Sequence, residues 1–262
     1  MSGPFSIQSL ASGSKGNCWV LRAGDLCLLI DAGISAKRIV EGLTASGTDP
    51  ESIGGVLLTH EHSDHLSGIP VLSRRFGYTT YAVEEAANVS RRRNGSLRSE
   101  KGVRIEPIAA GEEFSIGEVK IRPFSVSHDA VDPVMFVFEY QDRRLGLATD
   151  LGIVTRLVRQ KLTGLDALVI ESNHDPSMLE HGPYRPEDKR RIKAGWVICP
   201  TTRRRSSCAR SLTRAFSGWR WRTFRRRTTR RISRSAGCGA RLTRRTPRAT
   251  FTSLRSGGWE AF

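Results

Sequence analysis

The sequence predicts an α/β (α+β) fold in which two packed β-sheets are flanked by helices. Short apolar runs typical of buried strands alternate with longer helix-like runs through residues 1–193. No internal repeat stands out among these runs. A segment of this length can bury a sizeable hydrophobic core. We therefore expect residues 1–193 to form one domain.

The predicted strands are short apolar runs bounded by turn-forming residues. In the run Val119–Val126, apolar and polar residues alternate as in a strand with one buried face. The strand-like runs, in chain order, are Phe5–Leu10, Cys18–Leu21, Leu26–Ile30, Gly55–Leu58, Thr79–Val83, Val103–Pro107, Val119–Val126, Val134–Tyr140, Arg144–Thr149 and Ala167–Ile170.

The predicted helices lie between these strands. They cover Ala36–Ala45, Leu66–Phe76, Glu84–Ser90, Ile153–Lys161 and Pro186–Ile192. Strands and helices mixed on this scale fit two stacked sheets with helices on their outer faces.

One segment concentrates metal-binding side chains. Thr59–His65 (Thr-His-Glu-His-Ser-Asp-His) follows the apolar residues Val56–Leu58. In an extended chain, His60 and His62 lie on one side and can bind one cation. Asp64 and His65 come just before the predicted helix and can face a second cation. Nitrogen and carboxylate ligands of this kind suit zinc, with manganese or iron as alternatives.

This motif, His-x-His-x-Asp-His after an apolar strand, resembles the signature of the metallo-β-lactamase fold. Other segments resemble the rest of that pattern. They are an early strand ending in an aspartate, a segment with a third histidine, and a strand ending in a bridging aspartate, at Leu28–Gly33, Ser125–Asp129 and Leu147–Asp150. Two further segments resemble motifs of the bacterial WalJ (YycJ) subgroup, Ala11–Cys18 and Glu171–Asp175.

The resemblance implies an αββα sandwich, here with its C-terminal part incomplete, and a metal-dependent hydrolase. It implies phosphodiester hydrolysis, with DNA degraded from the 5′ end by a metal-bound hydroxide. Two divalent cations are expected, zinc first and manganese as the alternative. Asp64 is the expected catalytic residue, which holds the nucleophile or accepts its proton. The implied metal ligands are His60, His62, Asp64, His65, His128 and Asp150.

Further residues are candidates for a supporting or substrate-binding role. Asp31 is expected to hold a ligand or loop in place. The small-residue loop from 12 to 17 could cradle a phosphate or form a plain hairpin turn. Its candidate side chains are Ser12, Ser14 and Asn17. Asn173 and His174 follow a predicted strand and are expected near the metals or the substrate.

Taken alone, some of these residues have ordinary explanations. A histidine such as His128 at a strand end is more often a plain hydrogen-bonding group. Asp150 precedes the predicted helix Ile153–Lys161 and could simply cap it. The presence of the other ligands favours the metal-binding role for both.

The charge is distributed unevenly. The 262-residue chain has a net charge of +16, which by itself suggests a nucleic-acid binder. Residues 194–262, however, contain eighteen arginines, one glutamate and no lysine, and carry a net charge of +17. Residues 1–193 carry a net charge of −1. The composition of the tail is unlike that of a globular domain, and we expect it to be disordered.

A frameshift near Lys193–Ala194 accounts for this tail. Members of the WalJ-like subgroup are expected to contain Val-Gly-His-Leu-Ser-Asn at this point. One encoding of that peptide, read one base later, spells Trp196–Thr201. A second peptide, Ala-His-Leu-Ser-Glu-Glu-Asn-Asn-Thr-Pro-Asp, also read one base later, spells Arg222–Ile232. The codons are our reconstruction. The shift would remove the last histidine of the second metal site and leave that site short of a ligand.

Three alternatives to this interpretation differ in function. The same fold also supports small-molecule ester, thioester or lactone hydrolases. The chain could instead be an inactive product that binds nucleic acid through its arginine-rich tail. An evolved arginine-rich arm that binds phosphates is the third alternative.

The compartment is predicted from features that the sequence lacks. Met1–Leu10 has no basic start and no long apolar run, and no stretch approaches the roughly 18 apolar residues of a membrane span. Only Cys18 and Cys27 lie within residues 1–193, so no disulfide framework is implied. A cytoplasmic bacterial protein without membrane partners is the expectation.

Overall fold

The computed structural model describes residues 4–93 and 103–172, positions 181 and 186, and residues 224–225. In this part of the chain the backbone forms twelve strands and five α-helices. The strands are β1 Phe5–Ala11, β2 Cys18–Ala23, β3 Leu26–Ile30, β4 Ile53–Leu57, β5 Thr79–Val83, β6 Arg104–Ile108, β7 Phe114–Ile116, β8 Val119–Ser125, β9 Val134–Tyr140, β10 Arg143–Ala148, β11 Ala167–Ser172 and β12 Phe224–Arg225. The helices are α1 Ala36–Ala45, α2 Ser63–Leu66, α3 Ile69–Phe76, α4 Glu84–Arg93 and α5 Arg156–Lys161.

The described strands form two mixed sheets. The first has the order β1-β2-β3-β4-β5-β6, antiparallel at the start and parallel from β3 to β6. The second has the order β12-β11-β10-β9-β8-β7, and only its β10–β11 and β11–β12 pairs are parallel. In the last of these pairs Phe224 and Arg225 lie opposite Glu171 and Ser172.

The hydrophobic core has three layers. The central layer joins both sheets through side chains such as Leu28, Leu57 and Phe136, each 0% exposed. A second layer packs α1 and α3 on the first sheet, and a third packs α5 on the second sheet. Helices thus cover both outer faces of the sheet pair, and the predicted αββα sandwich is confirmed.

The parallel strands set the position of the polar residues that follow them. Leu29 and Ile30 of β3 pair with Val56 and Leu57 of β4 in parallel register. The two chains therefore leave the sheet side by side at the same edge. Asp31 N–H donates to Leu57 O at 2.9 Å, which continues the pairing by one residue.

Several predicted boundaries differ from the observed ones. The predicted helix Leu66–Phe76 is two helices, because Gly68 N–H donates to Ala32 O at 2.7 Å and Pro70 has no N–H to give. Helix α5 begins later than predicted. Thr155 caps it, with the side-chain oxygen accepting from Val158 N at 3.2 Å. Asp150 is therefore not the cap of this helix. Strand β7 is too short and too exposed to have been predicted.

Some predictions fall outside the described residues. These are Asn173, His174, the helix Pro186–Ile192 beyond its first residue, and most of the tail from 194 to 262. Within the described ranges, no helix has the length and apolar character needed to cross a membrane.

Candidate metal centre

Three imidazole rings meet where the two sheets come together. His60 and His62 follow β4 of the first sheet, and His128 lies in the loop between β8 and β9 of the second. His62 Nδ1 lies 3.0 Å from His60 Nε2 and 3.3 Å from His128 Nε2. We call His60, His62 and His128 the three-histidine group.

The spacing of these nitrogens fits one cation. A tetrahedral zinc ion bound at about 2.0–2.1 Å holds its ligand nitrogens roughly 3.3 Å apart. The three ring nitrogens lie within 4.8 Å of one another, and two of the separations are close to the tetrahedral value. The group can therefore hold a divalent cation without a large rearrangement.

Burial keeps two of these rings neutral. It lowers the pKa of His60 well below its ordinary value, and the neighbouring histidines lower it further. Burial also lowers the pKa of His62, against the opposing effect of Glu61 and Asp64. A neutral imidazole offers the lone pair that a metal ion needs.

A second set of donors adjoins the first. His65 Nε2 lies 3.1 Å from Asp150 Oδ2 and 3.9 Å from Asp64 Oδ2. Donor atoms of His60, His65 and Asp150 also lie within 4.8 Å of one another. We call Asp64, His65 and Asp150 the mixed group. Asp150 thus lies where a carboxylate can reach cations bound by either group.

His65 is held from its other side by Asp31. His65 Nδ1 lies 2.7 Å from Asp31 Oδ2, and both residues are almost fully buried. This contact leaves Nε2 directed at Asp150, as is common for metal-binding histidines whose second nitrogen bonds a carboxylate. Burial lowers the pKa of His65, but Asp31 and Asp150 outweigh it and raise the pKa well above the usual value. A proton on Nε2 then lies where a cation would be bound.

Thr59 is a residue that the sequence did not single out. Its N–H and hydroxyl both donate to Asp31, at 2.9 and 3.0 Å. Its Oγ1 also lies 2.9 Å from His60 Nδ1, so that His60 Nε2 faces the other histidines. The only sequence signal was its place directly before the first histidine of the motif.

The loop from 12 to 17 contacts two of the proposed metal ligands. Asn17 is 2% exposed, and its Nδ2 lies 2.9 Å from His65 Nε2. Its Oδ1 accepts from Gly13 N at 2.8 Å, and its backbone N–H donates to Asp64 O at 2.7 Å. These loop amides are therefore bonded within the protein, whereas Ser14 is exposed and Ser12 half-buried.

The loops around Asn17 can pack this closely because two glycines lie between them. A Cβ on Gly33 would come within 1.6 Å of Asp64 O, and one on Gly16 within 2.3 Å of Gly33 O. Asp31 and Asp150 both adopt left-handed backbone angles, with φ of 58° and 48°. Such angles are uncommon for residues other than glycine and often occur at functional sites.

The structure brings most predicted site residues to one place. Seven predicted residues lie at the metal centre: His60, His62, Asp64, His65, His128, Asp150 and Asp31. Asn17 joins them through His65. Ser12 and Ser14 are on the adjoining loop, and Asn173 and His174 lie outside the described residues.

Several known proteins are similar to this chain. A family model described as the beta-lactamase superfamily domain matches residues 27–193. Exodeoxyribonuclease YycJ of Bacillus anthracis is 36% identical over 188 residues, 72% of this chain and 69% of that protein. Exodeoxyribonuclease WalJ of Streptococcus pneumoniae is 37% identical over 190 residues, 72% of this chain and 70% of that protein.

A solved structure has the same fold. Zn²⁺-bound PqqB from Methylobacterium extorquens superposes with a TM-score of 0.62 at 20% identity, covering 75% of this chain and 72% of that chain. At this identity the likeness shows the fold alone.

Proposed function

The chain belongs to the beta-lactamase superfamily, within the family of YycJ and WalJ, and from that premise we propose that it is a metal-dependent phosphodiesterase that degrades DNA from the 5′ end. The observation that carries the proposal is the three-histidine group beside the mixed group, whose Asp150 lies 3.1 Å from His65 Nε2 and within 4.8 Å of a ring nitrogen of His60. Two adjacent cations are the arrangement typical of enzymes that cleave phosphodiesters. The curated relatives named above are exodeoxyribonucleases, which supports DNA as the substrate.

The proposed ligands divide between two cations. His60, His62 and His128 hold the first, Asp64 and His65 hold the second, and Asp150 lies between them. Zinc suits the histidine-rich first position, and manganese is the alternative where carboxylates contribute more. When bound, the cations supply Lewis acidity at the scissile phosphate and a more acidic water.

The protein's own residues fix the geometry of this chemistry. Asp31 and Thr59 hold the Nδ1 atoms of His65 and His60, so that both Nε2 atoms face the centre. The side chain of Asp64 is 33% exposed, so its Oδ2 can reach water and accept the proton that the nucleophile loses.

We further propose that the domain ends near residue 193 and that residues 194–262 come from a changed reading frame. The match to the family model ends at residue 193. The end of this match supports a change of reading frame near that residue. Such a change would leave the second cation position short of a ligand and impair the activity.

The first test of the changed reading frame is to sequence the gene again. Resequencing across the codons for Ile192–Thr201 should show one base gained or lost, and the repaired chain should regain the histidine-containing segments. A confirmed sequence would mean that the chain itself is the product of a damaged gene. It would then bind the second cation weakly and have little nuclease activity.

The activity is tested on the repaired chain and on this chain together. Linear DNA labelled at its 5′ end should lose label with Mn²⁺ or Zn²⁺ present, faster with the repaired chain. The His62→Ala variant of the repaired chain should release none. Hydrolysis of a thioester with no action on DNA would contradict the proposal and favour a small-molecule hydrolase.

DNA binding must be separated from DNA cleavage. An arginine-rich tail binds polyanions through phosphate contacts whatever its origin. Deleting residues 194–262 should abolish such binding and leave the cation content unchanged. If binding persists after the deletion, the centre itself contacts DNA.

A further inference from the structure

Glu61 lies between two proposed ligands, His60 and His62, at a bend in the chain after β4. It is nevertheless only 5% exposed, which is unusual for a carboxylate. A buried carboxylate is costly unless it is hydrogen-bonded.

Glu61 bonds the loop that carries the third histidine. Val131 N lies 3.0 Å from Glu61 Oε1 and 3.1 Å from Oε2, so its N–H donates to both oxygens. Val131 belongs to the segment 126–133 that connects β8 to β9. A backbone N–H bonded to a carboxylate is a charge-assisted hydrogen bond, roughly twice as strong as a neutral one.

The rest of this segment is fixed near its ends. Val126 N donates to Pro133 O at 3.2 Å, and Val134 N donates to Thr59 O at 3.0 Å. Ser127 O accepts from Gly152 N at 2.9 Å. Glu61 thus contacts the middle of the segment, three residues after His128.

We propose that Glu61 is a positioning residue of the metal centre. By bonding Val131 N–H, its carboxylate holds the β8–β9 segment so that His128 Nε2 stays beside His62 Nδ1. The three nitrogens then converge on one cation. The inference rests on the proposed cation site. It gives Glu61 a positioning role that differs from the ligand role of the two histidines beside it.

Two conservative substitutions separate the effect of the length of the Glu61 side chain from the effect of its charge. Glu61→Gln keeps the length and an acceptor oxygen but removes the charge. Glu61→Asp keeps the charge, but it is one methylene shorter and does not reach Val131. A positioning role predicts that the glutamine variant resembles the wild type and the aspartate variant does not. A purely electrostatic role predicts the reverse.

Co²⁺ is the probe, titrated into the metal-free full chain and followed by visible absorption. The wild type should show the intense bands of a low-coordinate, histidine-bound ion. Glu61→Asp and Glu61→Ala should weaken Co²⁺ binding by about 10- to 100-fold, as for other residues that orient metal ligands, and alter the bands. Glu61→Gln should keep the bands and bind within about fivefold of the wild type. Glu118→Ala, at an exposed glutamate, is the matched control and should change nothing.

Each other outcome overturns the inference. If both Glu61→Asp and Glu61→Ala keep the Co²⁺ affinity and the absorption bands of the wild type, the β8–β9 segment does not need the hydrogen bond from Val131 N to Glu61. Weakened Co²⁺ binding in Glu61→Gln together with wild-type binding in Glu61→Asp would show that the charge of Glu61 matters and that its length does not. If the wild type binds no Co²⁺, the cation site itself is wrong and the role of Glu61 with it. Circular dichroism of each variant checks that the fold is retained.

Discussion

The three-histidine group and the mixed group share one edge of the sheets but differ in how ready they are to bind a cation. In the first, burial lowers the pKa of His60 and His62, so the ligand nitrogens are already deprotonated. In the second, Asp31 and Asp150 raise the pKa of His65, so this ring keeps its proton to higher pH. The histidines thus compete weakly with a cation for protons in one group and strongly in the other.

The two positions should therefore fill separately. The three-histidine group takes all its proposed ligands from described residues and should load first. The mixed group has one histidine, and in our proposal it lacks the further ligand that the changed frame removed.

The largest effect is expected for His62→Ala. Because His62 Nδ1 faces both other ring nitrogens, its loss leaves two ligands that no longer surround a cation. Affinity at the first position should fall by more than the roughly 10- to 100-fold seen for residues that only orient ligands. Calorimetric titration with Zn²⁺ measures this, and His62→Asp, which keeps a ligand atom, should recover part of it. Unchanged Zn²⁺ binding would show that the group is not a metal site.

Asp31→Ala should act on the mixed group alone. It frees His65 Nδ1 and should weaken the second position by about 10- to 100-fold. The measurement belongs at high pH, because removing Asp31 also lowers the pKa of His65 and so relieves proton competition near neutrality. Asp25→Ala, at an exposed aspartate, is the control. Equal losses of cation affinity at both positions would mean that Asp31 stabilises the whole sheet edge and does not act on His65 alone.

The two positions should respond differently to pH. The raised pKa of His65 means that a cation must displace a proton at any pH below that pKa. Second-position affinity should therefore fall by about tenfold for each pH unit of acidification in that range. First-position affinity should stay level from neutral pH down to the lowered pKa values of His60 and His62. Cation titrations from pH 6 to pH 9 compare the slopes, and parallel slopes would refute the contrast.

Asn17→Ala should give the smallest effect. The amide Nδ2 lies 2.9 Å from His65 Nε2, and Oδ1 accepts a neutral hydrogen bond from Gly13 N at 2.8 Å. Loss of one such bond is worth about 0.5–1.5 kcal/mol, or roughly 2- to 10-fold in second-position affinity. Lys15→Ala, on the exposed part of the same loop, should leave it unchanged. A loss of second-position affinity as large as that of Asp31→Ala would show that Asn17 is itself a metal ligand and does not only contact one.

Features set by residues close together in the sequence could be predicted, whereas features that depend on tertiary contacts could not. The αββα sandwich followed from apolar runs and was confirmed, and strands such as Leu26–Ile30 agree to the residue. The motif from His60 to His65 is local, so its clustering could be predicted. The ligand roles themselves stay predictions.

What could not be predicted depends on contacts between distant segments. Glu61 was passed over because its partner, Val131, is 70 residues away. Asn17 was a candidate for a supporting or substrate-binding role, but its contact with His65 could not be predicted, because it depends on Gly16 and Gly33, which let the loops close. The split of the predicted helix Leu66–Phe76 likewise depends on the hydrogen bond from Gly68 to Ala32.

The contact between His62 and His128 has a consequence for stability. The two residues are 66 positions apart, and they follow strands of different sheets. A cation held by both would bind the folded chain and not the unfolded one, so it would stabilise the fold by mass action. At a free cation concentration about 100 times the dissociation constant, this amounts to about 2.7 kcal/mol. A cation at this site would thus also hold one half of the sandwich against the other.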